Sequence, residues 1–341
     1  MLGCLMRIAH FTTTPVPGGV QRMVETACRA HAAAGHDVAV SSVRRVAAPH
    51  RRAIRHRVDG NRPTATLAWA LLRTLAFRAD VAVVHAGSPT ECALPAMVLS
   101  RLLPTVLLEH SFHHPLASPG EERLYAMKRR VPNWMAVSRA CADRVAANAG
   151  VDATRIGVLH NGAPRPVNEA DDTELPSGPM VLGVGRPTAD KGFDRFCNLA
   201  DTIEGAGFVW VGGDKARRVG SVDLRPWREK LGPFYDAAAV VVLPYRVEGF
   251  LVLYEAMACA RPVVCRRVGG FDEMIEDGVD GRLVAGDDPR SWTAAVAGLL
   301  GSASERERLG QAALRRWRRD FSLEAYGRRL HELLETVASS R

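Results

Sequence analysis

The segment Ala239–Val264 reads AVVVLPYRVEGFLVLYEAMACARPVV, in which two apolar runs flank a polar turn and an alanine-rich run. Short apolar runs predict buried strands, and the longer run between them predicts a helix. A strand, helix and strand in this order are typical of a parallel sheet covered by helices. Glu248 in the turn and Glu255 in the first helical turn place two carboxylates where backbone N–H groups point outward.

The same alternation of apolar strands and helices runs through most of the chain of 341 residues. The stretch APRPVNEADDTELPSGP, at 163–179, interrupts it with the composition of a linker. The sequence therefore predicts an α/β protein with two Rossmann-like, doubly wound domains that face a central cleft. We expect an N-terminal domain over 1–165, a C-terminal domain over 166–320, and a last helix over 321–341 that crosses back to the first domain.

Composition argues against several classes of protein. No window holds the roughly 18 uninterrupted apolar residues of a spanning helix, and the N-terminus becomes charged too soon for a secretory signal. The seven cysteines are odd in number and lack a CxxC spacing, which favours reduced thiols in a cytoplasmic protein over disulfides or a zinc site.

The net charge of +8 is unevenly distributed along the chain. Residues 1–165 hold 21 basic and 10 acidic side chains, whereas 166–341 hold 24 and 27. This excess favours an acidic partner: a phosphorylated acceptor, an anionic membrane surface contacted peripherally, or the diphosphate of a ligand. A solvated arginine-rich surface explains it equally well, and nucleic acid is not expected because no binding module is present. Part of the excess lies in one predicted loop, at Arg44, Arg45, Arg51, Arg52, Arg55 and Arg57.

In each half of the chain, one polar loop follows the first strand. Gly18 and Gly19 open a helix, where bare backbone can approach an anion, although turn formation alone would also explain them. The GxGxxG fingerprint is absent, which argues against a nicotinamide cofactor. Arg186 and Lys191 suit a diphosphate that gains charge as it leaves, and solvated surface cations are the simpler alternative.

Histidines follow several strands of the first half. His110 ends the strand TVLLE and could orient an acceptor or bind a sugar hydroxyl. His10 and His85 are candidates to line the same edge, whereas His113 and His114 fit structural roles better. No acidic or cysteine partner shows a ligand spacing for zinc, so we expect no metal site.

In their order along the chain, from residue 7 to about 330, these motifs resemble glycosyltransferase family 4, whose members are retaining, metal-independent enzymes of the GT-B fold. The block from 235 to 284 is the most specific part. The segments that carry the resemblance are PGGVQRMVETACRAHAAAGHDV, EHSF, AVSRACADRV, VLHNGA, VGRPTADKG, FYDAAAVVVLPYRVEGF and YEAMACARPVVCRRVGGFDEMIEDGVDGRLV.

The resemblance implies a role for each matching residue. Glu255 would bind the ribose hydroxyls of a nucleotide, and Glu248 would lie near the donor sugar. Arg186 and Lys191 would bind the donor diphosphate, and His110 would lie near the acceptor. The remaining matches are Gly19, with Gly18 beside it, for the diphosphate, the backbone of Gly249, Phe250 and Leu251 for the donor, and Asn161 and Gly162 for the turn that ends the first domain. Only six residues separate Glu248 from Glu255, one fewer than the family pattern, so we expect a shortened or re-aimed loop.

The resulting hypothesis is a bacterial, retaining hexosyltransferase that needs no metal or other cofactor. It would move a sugar from a nucleotide-diphosphate sugar, with UDP favoured, to a hydroxyl of a small-molecule, natural-product or phosphorylated acceptor. One alternative is a nucleotide-sugar epimerase, which would need no acceptor. Another is a non-catalytic nucleotide-sugar-binding partner subunit, which would bind the nucleotide without transfer. The sequence does not identify the donor sugar, the acceptor or the oligomeric state.

Overall fold

The computed structural model describes residues 5–12, 19–42, 54–57, 71–88, 91–111, 118–167 and 175–340. Contacts divide the chain into two compact units. Unit 1 comprises Met1–Gly162 and Leu323–Arg341, and unit 2 comprises Ala163–Ser322. Each unit contains one seven-stranded sheet.

The sheet of unit 1 is parallel throughout, in the order β3-β2-β1-β4-β5-β6-β7. Its strands are β1 (Arg7–Thr12), β2 (Asp37–Ser42), β3 (Ile54–Arg57), β4 (Val81–Ala86), β5 (Thr105–Glu109), β6 (Asn133–Ala136) and β7 (Gly157–Val158). The helices between them are α1 (Gly19–Ala33), α2 (Ala93–Leu102), α3 (Pro119–Lys128) and α4 (Arg139–Ala149), and residues 71–76 are also helical. Strands β4 and β5 are buried along their whole length, as continuous apolar strands covered on both faces must be.

The sheet of unit 2 has the order β10-β11-β9-β8-β12-β13-β14, and only β10 is antiparallel to its neighbour. Its strands are β8 (Met180–Val184), β9 (Gly207–Gly213), β10 (Arg217–Val219), β11 (Val222–Pro226), β12 (Ala238–Leu243), β13 (Val263–Arg266) and β14 (Arg282–Val284). Its helices are α5 (Phe193–Thr202), α6 (Gly232–Ala237), α7 (Phe250–Ala258), α8 (Phe271–Met274), α9 (Pro289–Leu300) and α10 (Ala303–Arg316). Without β10 and β7, both sheets follow the order 3-2-1-4-5-6 of a Rossmann fold.

The last helix, α11 (Leu323–Ser339), belongs to unit 1. It packs against α1, where a Cβ on Gly327 would lie 3.0 Å from Cβ of Ala30. Its apolar face buries Tyr326, Leu330 and Leu334. No helix in the described ranges combines the length and apolar character needed to cross a membrane.

The structure differs from the sequence prediction in two places. Arg55 and Arg57 were expected in a loop, but 54–57 form the edge strand β3, where charged residues are common because one side stays unpaired. Residues 217–226 form β10 and β11, two strands that the sequence did not predict. Other predictions fall outside the described residues, namely those for Gly18, Arg44, Arg45, Arg51, Arg52, His113 and His114.

Candidate active site

The strand order of unit 2 reverses between β8 and β12. In an open α/β sheet the crevice at such a reversal, beyond the carboxyl ends of the strands, is the usual ligand site. The loop after β8 carries Arg186 and Lys191, and the loop after β12 carries Glu248. The fold therefore brings three predicted site residues to one edge of one sheet.

Lys191 is held in place by an uncharged backbone oxygen and an aromatic ring. Its Nζ donates to the backbone oxygen of Glu248 at 3.3 Å and lies 4.6 Å from the ring centroid of Tyr245. Tyr245 is anchored in turn, because its hydroxyl donates to the backbone oxygen of Val184. Burial lowers the pKa of Lys191, partly opposed by Asp190. A fixed, desolvated ammonium with a carbonyl and an aromatic face as hydrogen-bond and π partners can bind an anion strongly.

Arg186 is bound much more loosely than Lys191. Its side chain is 74% exposed, and its guanidinium is 3.8 Å from Asp190. An exposed contact of this length stabilises the fold little, so the side chain can turn toward a ligand at small cost.

Two glycines allow the β8 and β12 loops to approach each other. Gly192 has φ of +67°, and a Cβ there would lie 2.0 Å from the backbone oxygen of Pro244. A Cβ on Gly249 would lie 2.5 Å from the ring of Tyr245 and 3.4 Å from Nζ of Lys191. Gly249 is also the N-cap of α7, so the N-terminus of that helix lies beside the ammonium.

Glu248 does not extend into solvent from its loop. Its Oε1 accepts a hydrogen bond from the backbone N–H of Gly270 at 3.0 Å, just before α8. The residue thus joins three loops, since its carbonyl receives Lys191 and its carboxylate binds the loop after β13. Its predicted role at the donor sugar stays a prediction.

Glu255 was predicted in the first helical turn, but it lies in the second turn of α7, which begins at Phe250. It is buried, with 5% of the residue exposed. Its Oε2 accepts a hydrogen bond from the hydroxyl of Tyr235 at 2.8 Å. Burial, and then this carboxylate, raise the pKa of Tyr235. Phe250 is buried as well, and Leu251 is half-buried. The ribose role of Glu255 also stays a prediction.

Several supporting residues were missed by sequence reasoning. Arg246 forms two hydrogen bonds to Asp194, at 2.9 and 2.8 Å, which connect the β12 loop to α5. Arg195 is buried and donates to the backbone oxygen of Pro244 at 3.2 Å. It also forms an ion pair with Asp287. The one sequence signal for this network was Arg246 next to Tyr245 in LPYRVEGF. The other partners could not be predicted because they are distant in sequence.

In unit 1, His110 lies just after β5 and its Nε2 is 2.8 Å from Nδ1 of His85. Burial lowers the pKa of His110 to about 3, so the ring is neutral near pH 7. His10 and His85 were expected to line the edge of the sheet, but both residues are fully buried within unit 1. Gly19 is exposed as the first residue of α1.

Glu109, next to His110, has a structural role. It is buried with Lys128, whose ammonium is 2.9 and 3.1 Å from its two oxygens, and it accepts from the indole N–H of Trp134 at 2.9 Å. Sequence reasoning missed Lys128, since nothing in its spacing marks it as buried.

An open cavity of about 490 Å³ lies elsewhere in unit 2, beside β14 and α9. None of the predicted site residues lines it, and two of its charged residues, Arg282 and Glu305, already pair at 3.0 Å. We therefore do not assign the ligand site to it. Within the described ranges, no group of three His, Cys, Asp or Glu side chains could hold a metal ion, and the cysteines are free thiols.

Two family models match the chain, one in each unit. The model described as Glycosyltransferase Family 4 matches residues 17–164, and the model described as Glycosyl transferases group 1 matches residues 178–302. This chain belongs to glycosyltransferase family 4. The resemblance seen in its motifs is thus confirmed.

Among curated relatives of this family 4 member are several named D-inositol 3-phosphate glycosyltransferase. One from Catenulispora acidiphila is 40% identical over 138 residues, which is 40% of this chain and 28% of the relative. One from Xylanimonas cellulosilytica is 30% identical over 227 residues, 57% of this chain and 54% of the relative. The matches therefore span about half or less of these relatives' own length.

Solved structures share the fold at low sequence identity. A glycosyltransferase from Rickettsia africae superposes with a TM-score of 0.81 at 14% identity, over 99% of this chain and all of that one. HepE of Anabaena, solved with UDP-glucose, gives 0.77 at 16% identity, over 97% and 100%. The family 4 chain thus has the predicted GT-B fold, with two Rossmann-like domains.

Proposed function

We propose that this chain is a retaining glycosyltransferase that transfers a sugar from a nucleotide-diphosphate sugar to an acceptor hydroxyl without a metal ion. The observation that carries the proposal is Lys191, a desolvated ammonium fixed at the reversal point of a Rossmann-type sheet, beside the N-terminus of α7. A phosphate group fits this combination of point charge and helix dipole.

The chemistry of sugar transfer makes use of both cations of the loop. As the bond between sugar and diphosphate breaks, negative charge grows on the leaving oxygens. Lys191 is already fixed and stabilises that charge without reorganisation. Arg186 is loosely held and can form bidentate hydrogen bonds to the diphosphate when it is present. The two cations would do the work that a divalent ion does in other transferases.

The remaining predicted residues complete a same-face mechanism. Glu255 binds the ribose hydroxyls, and Glu248, with the backbone of Gly249, lies at the donor sugar. His110 orients the acceptor, and the leaving diphosphate oxygen takes the proton of the attacking hydroxyl. The bond to the acceptor then forms on the face that the diphosphate leaves.

Relatives and structural neighbours suggest the substrates. HepE was solved with UDP-glucose, which supports a UDP-sugar donor. The relatives named for D-inositol 3-phosphate support a small phosphorylated or polyhydroxylated acceptor. The basic excess of residues 1–165 agrees with a phosphorylated one.

The first test measures nucleotide binding and turnover in variants of Lys191. We expect UDP, among a panel of nucleoside diphosphates, to raise the unfolding temperature of the wild type. Lys191→Met should remove most of that shift and lower kcat by about 100-fold or more, because transition-state charge loses its partner. Lys215→Met, at an exposed lysine of the same unit, is the matched control and should behave as wild type.

The outcomes of this test separate the alternatives. Turnover of the nucleotide sugar without any acceptor would indicate an epimerase. Nucleotide binding with no transfer to any acceptor would indicate a non-catalytic subunit. Normal turnover in Lys191→Met would exclude the proposed role of the lysine.

A further inference from the structure

Three histidines of unit 1 form a diagonal row on one face of its sheet. His10 on β1 is in register with Val83 of β4, and His85 lies two residues further along that strand. His85 is in register with Leu108 of β5, and His110 again lies two residues further. Since residues two apart share a face, all three rings project from the same side of the sheet.

A fourth histidine extends the row from the helix that covers this face. His31 on α1 places Nδ1 at 3.2 Å from Nε2 of His10. Nδ1 of His10 lies 2.9 Å from Nε2 of His85, and Nδ1 of His85 lies 2.8 Å from Nε2 of His110. The four rings are stacked in sequence, with centroids 5.0 to 5.3 Å apart.

The four rings are neutral in the folded protein. His10, His31 and His85 are at most 1% exposed, and burial lowers the pKa of every member of the row. Nearby titratable groups do not reverse this effect. They are His36 next to β2, Cys28 on α1, and Tyr326, His331 and Glu335 on α11.

Neutrality restricts the row to two arrangements. A neutral imidazole carries one N–H, and each hydrogen bond of the row needs one proton. All four rings must therefore carry the proton on the same type of nitrogen. If it is Nε2, the row ends in an N–H at His31 and a bare Nδ1 at His110. If it is Nδ1, the row ends in a bare Nε2 at His31 and an N–H at His110.

The surroundings of His31 favour the second arrangement. His36 lies edge-on to His31, with centroids 5.8 Å apart, and its Nδ1 accepts from the backbone N–H of Met6 at 3.1 Å. Neutral His36 therefore carries its proton on Nε2. Nε2 of His31 is itself buried and makes no hydrogen bond in the described structure, so an N–H there would be an orphaned donor in the interior, whereas a bare nitrogen is the less costly state.

The other end of the row, like Nε2 of His31, has a polar atom without a partner in the described structure. Nδ1 of His110 is shielded from solvent and makes no hydrogen bond there. Such an atom is costly unless a ligand pairs with it.

We infer that His85, His10 and His31 are positioning residues that hold His110 as its Nδ1–H tautomer, so that it donates a hydrogen bond to a substrate oxygen. That its partner is the acceptor hydroxyl rests on the proposed function. A hydrogen bond donated to the hydroxyl oxygen leaves the hydroxyl's own proton available for transfer. No proton moves along the row in this role.

Nitrogen-15 NMR of the full chain labelled at histidine tests the inference without any substrate. Free neutral histidine prefers Nε2–H, so four Nδ1–H rings would be a distinctive signature. Each signal is assigned by a single substitution. Nε2–H rings in the row, or a mixture of tautomers, would overturn the inference.

Two variants of His31 separate positioning from packing. His31→Asn keeps an amide near the Nδ1 position, so it should preserve the Nδ1–H signals and kcat. His31→Leu removes the terminal donor, so the row should revert to Nε2–H and kcat should fall by roughly 10- to 100-fold. UDP binding, measured by its shift of the unfolding temperature, should be unchanged. His160→Asn, outside the row, is the control.

Different results would contradict the positioning role and the proposed function. Unchanged tautomers and kcat in His31→Leu would overturn the positioning role. Absence of transfer with every acceptor would overturn the proposed function, while the wild-type spectrum would still decide the tautomers.

Discussion

At the scale of single residues, the chain uses its buried cations in two ways. Lys191 is partly desolvated and contacts a carbonyl and a ring, so its charge is available to a ligand. Lys128 is fully buried against Glu109, so its charge is used within the fold. The sequence marked Lys191 by its polar loop after a strand, but it gave no sign that Lys128 is buried. The difference arises from which neighbour the fold places within hydrogen-bond distance.

The ion pair of Lys128 predicts a large effect on stability. Lys128→Met should lower the free energy of unfolding by about 3–5 kcal/mol, because Glu109 would remain charged and buried without its cation. Urea denaturation would measure it. The double variant Lys128→Met with Glu109→Gln should recover most of the loss, since Gln still accepts from Trp134.

Lys215→Met again serves as the control and should change stability by no more than about 0.5 kcal/mol. A loss of that small size in Lys128→Met would show that the buried pair contributes little.

At the scale of elements, the sequence predicted most strands and helices but not their neighbours. Apolar runs such as those of β8 and β12 are buried on both faces, so pattern alone identified them. The edge strands β3 and β10 escaped because an edge strand needs no apolar run. Strand β11, which lies between β10 and β9, escaped because it is short and alternates apolar with charged residues. Side-by-side placement of β8 and β12 depends on strand order, which hydrophobic pattern does not encode.

The contact between the loops of these two strands can be tested at Gly192. Gly192→Ala combines a positive φ with a Cβ 2.0 Å from the backbone oxygen of Pro244, so the loops must separate. We expect loss of the UDP-induced shift in unfolding temperature, because Lys191 would move from the N-terminus of α7.

Gly205→Ala is the matched control for backbone strain. Gly205 has φ of +78°, but a Cβ there would meet no atom within 4 Å, so strain alone should cost about 1–2 kcal/mol. Nucleotide binding should be intact in this variant. Equal loss of binding in both variants would show that strain, and not the loop contact, is responsible.

At the scale of the whole molecule, the histidine row connects folding to pH. The unfolded chain binds protons at these rings below pH 6.5, whereas burial holds the folded pKa of His10 at about 3. The unfolded state binds more protons in this range. The contribution of these histidines to the free energy of unfolding is therefore fully present above pH 6.5 and is lost as the pH decreases toward 3.

We therefore expect acid-sensitive unfolding of the full chain. Each histidine of the row contributes about 1.4 kcal/mol per pH unit, so His10, His31, His85 and His110 together contribute about 5 kcal/mol per pH unit. Urea denaturation across this range would measure the slope, and His31→Asn should reduce it by about a quarter. Constant stability down to about pH 4 would contradict the buried, neutral row.

The sequence by itself determined the class of this protein: two runs of buried strands and helices, the family 4 motifs, and the predicted positions of Arg186, Lys191 and Glu255. These features are local, because they depend on pattern and on residues close together in the chain. Only the tertiary structure decided which side chains meet. Lys191 reaches the carbonyl of Glu248 across the reversal of strand order, and four histidines spread along the chain from His10 to His110 join one hydrogen-bonded row. Both depend on strand order and register, which are set by packing of the whole sheet.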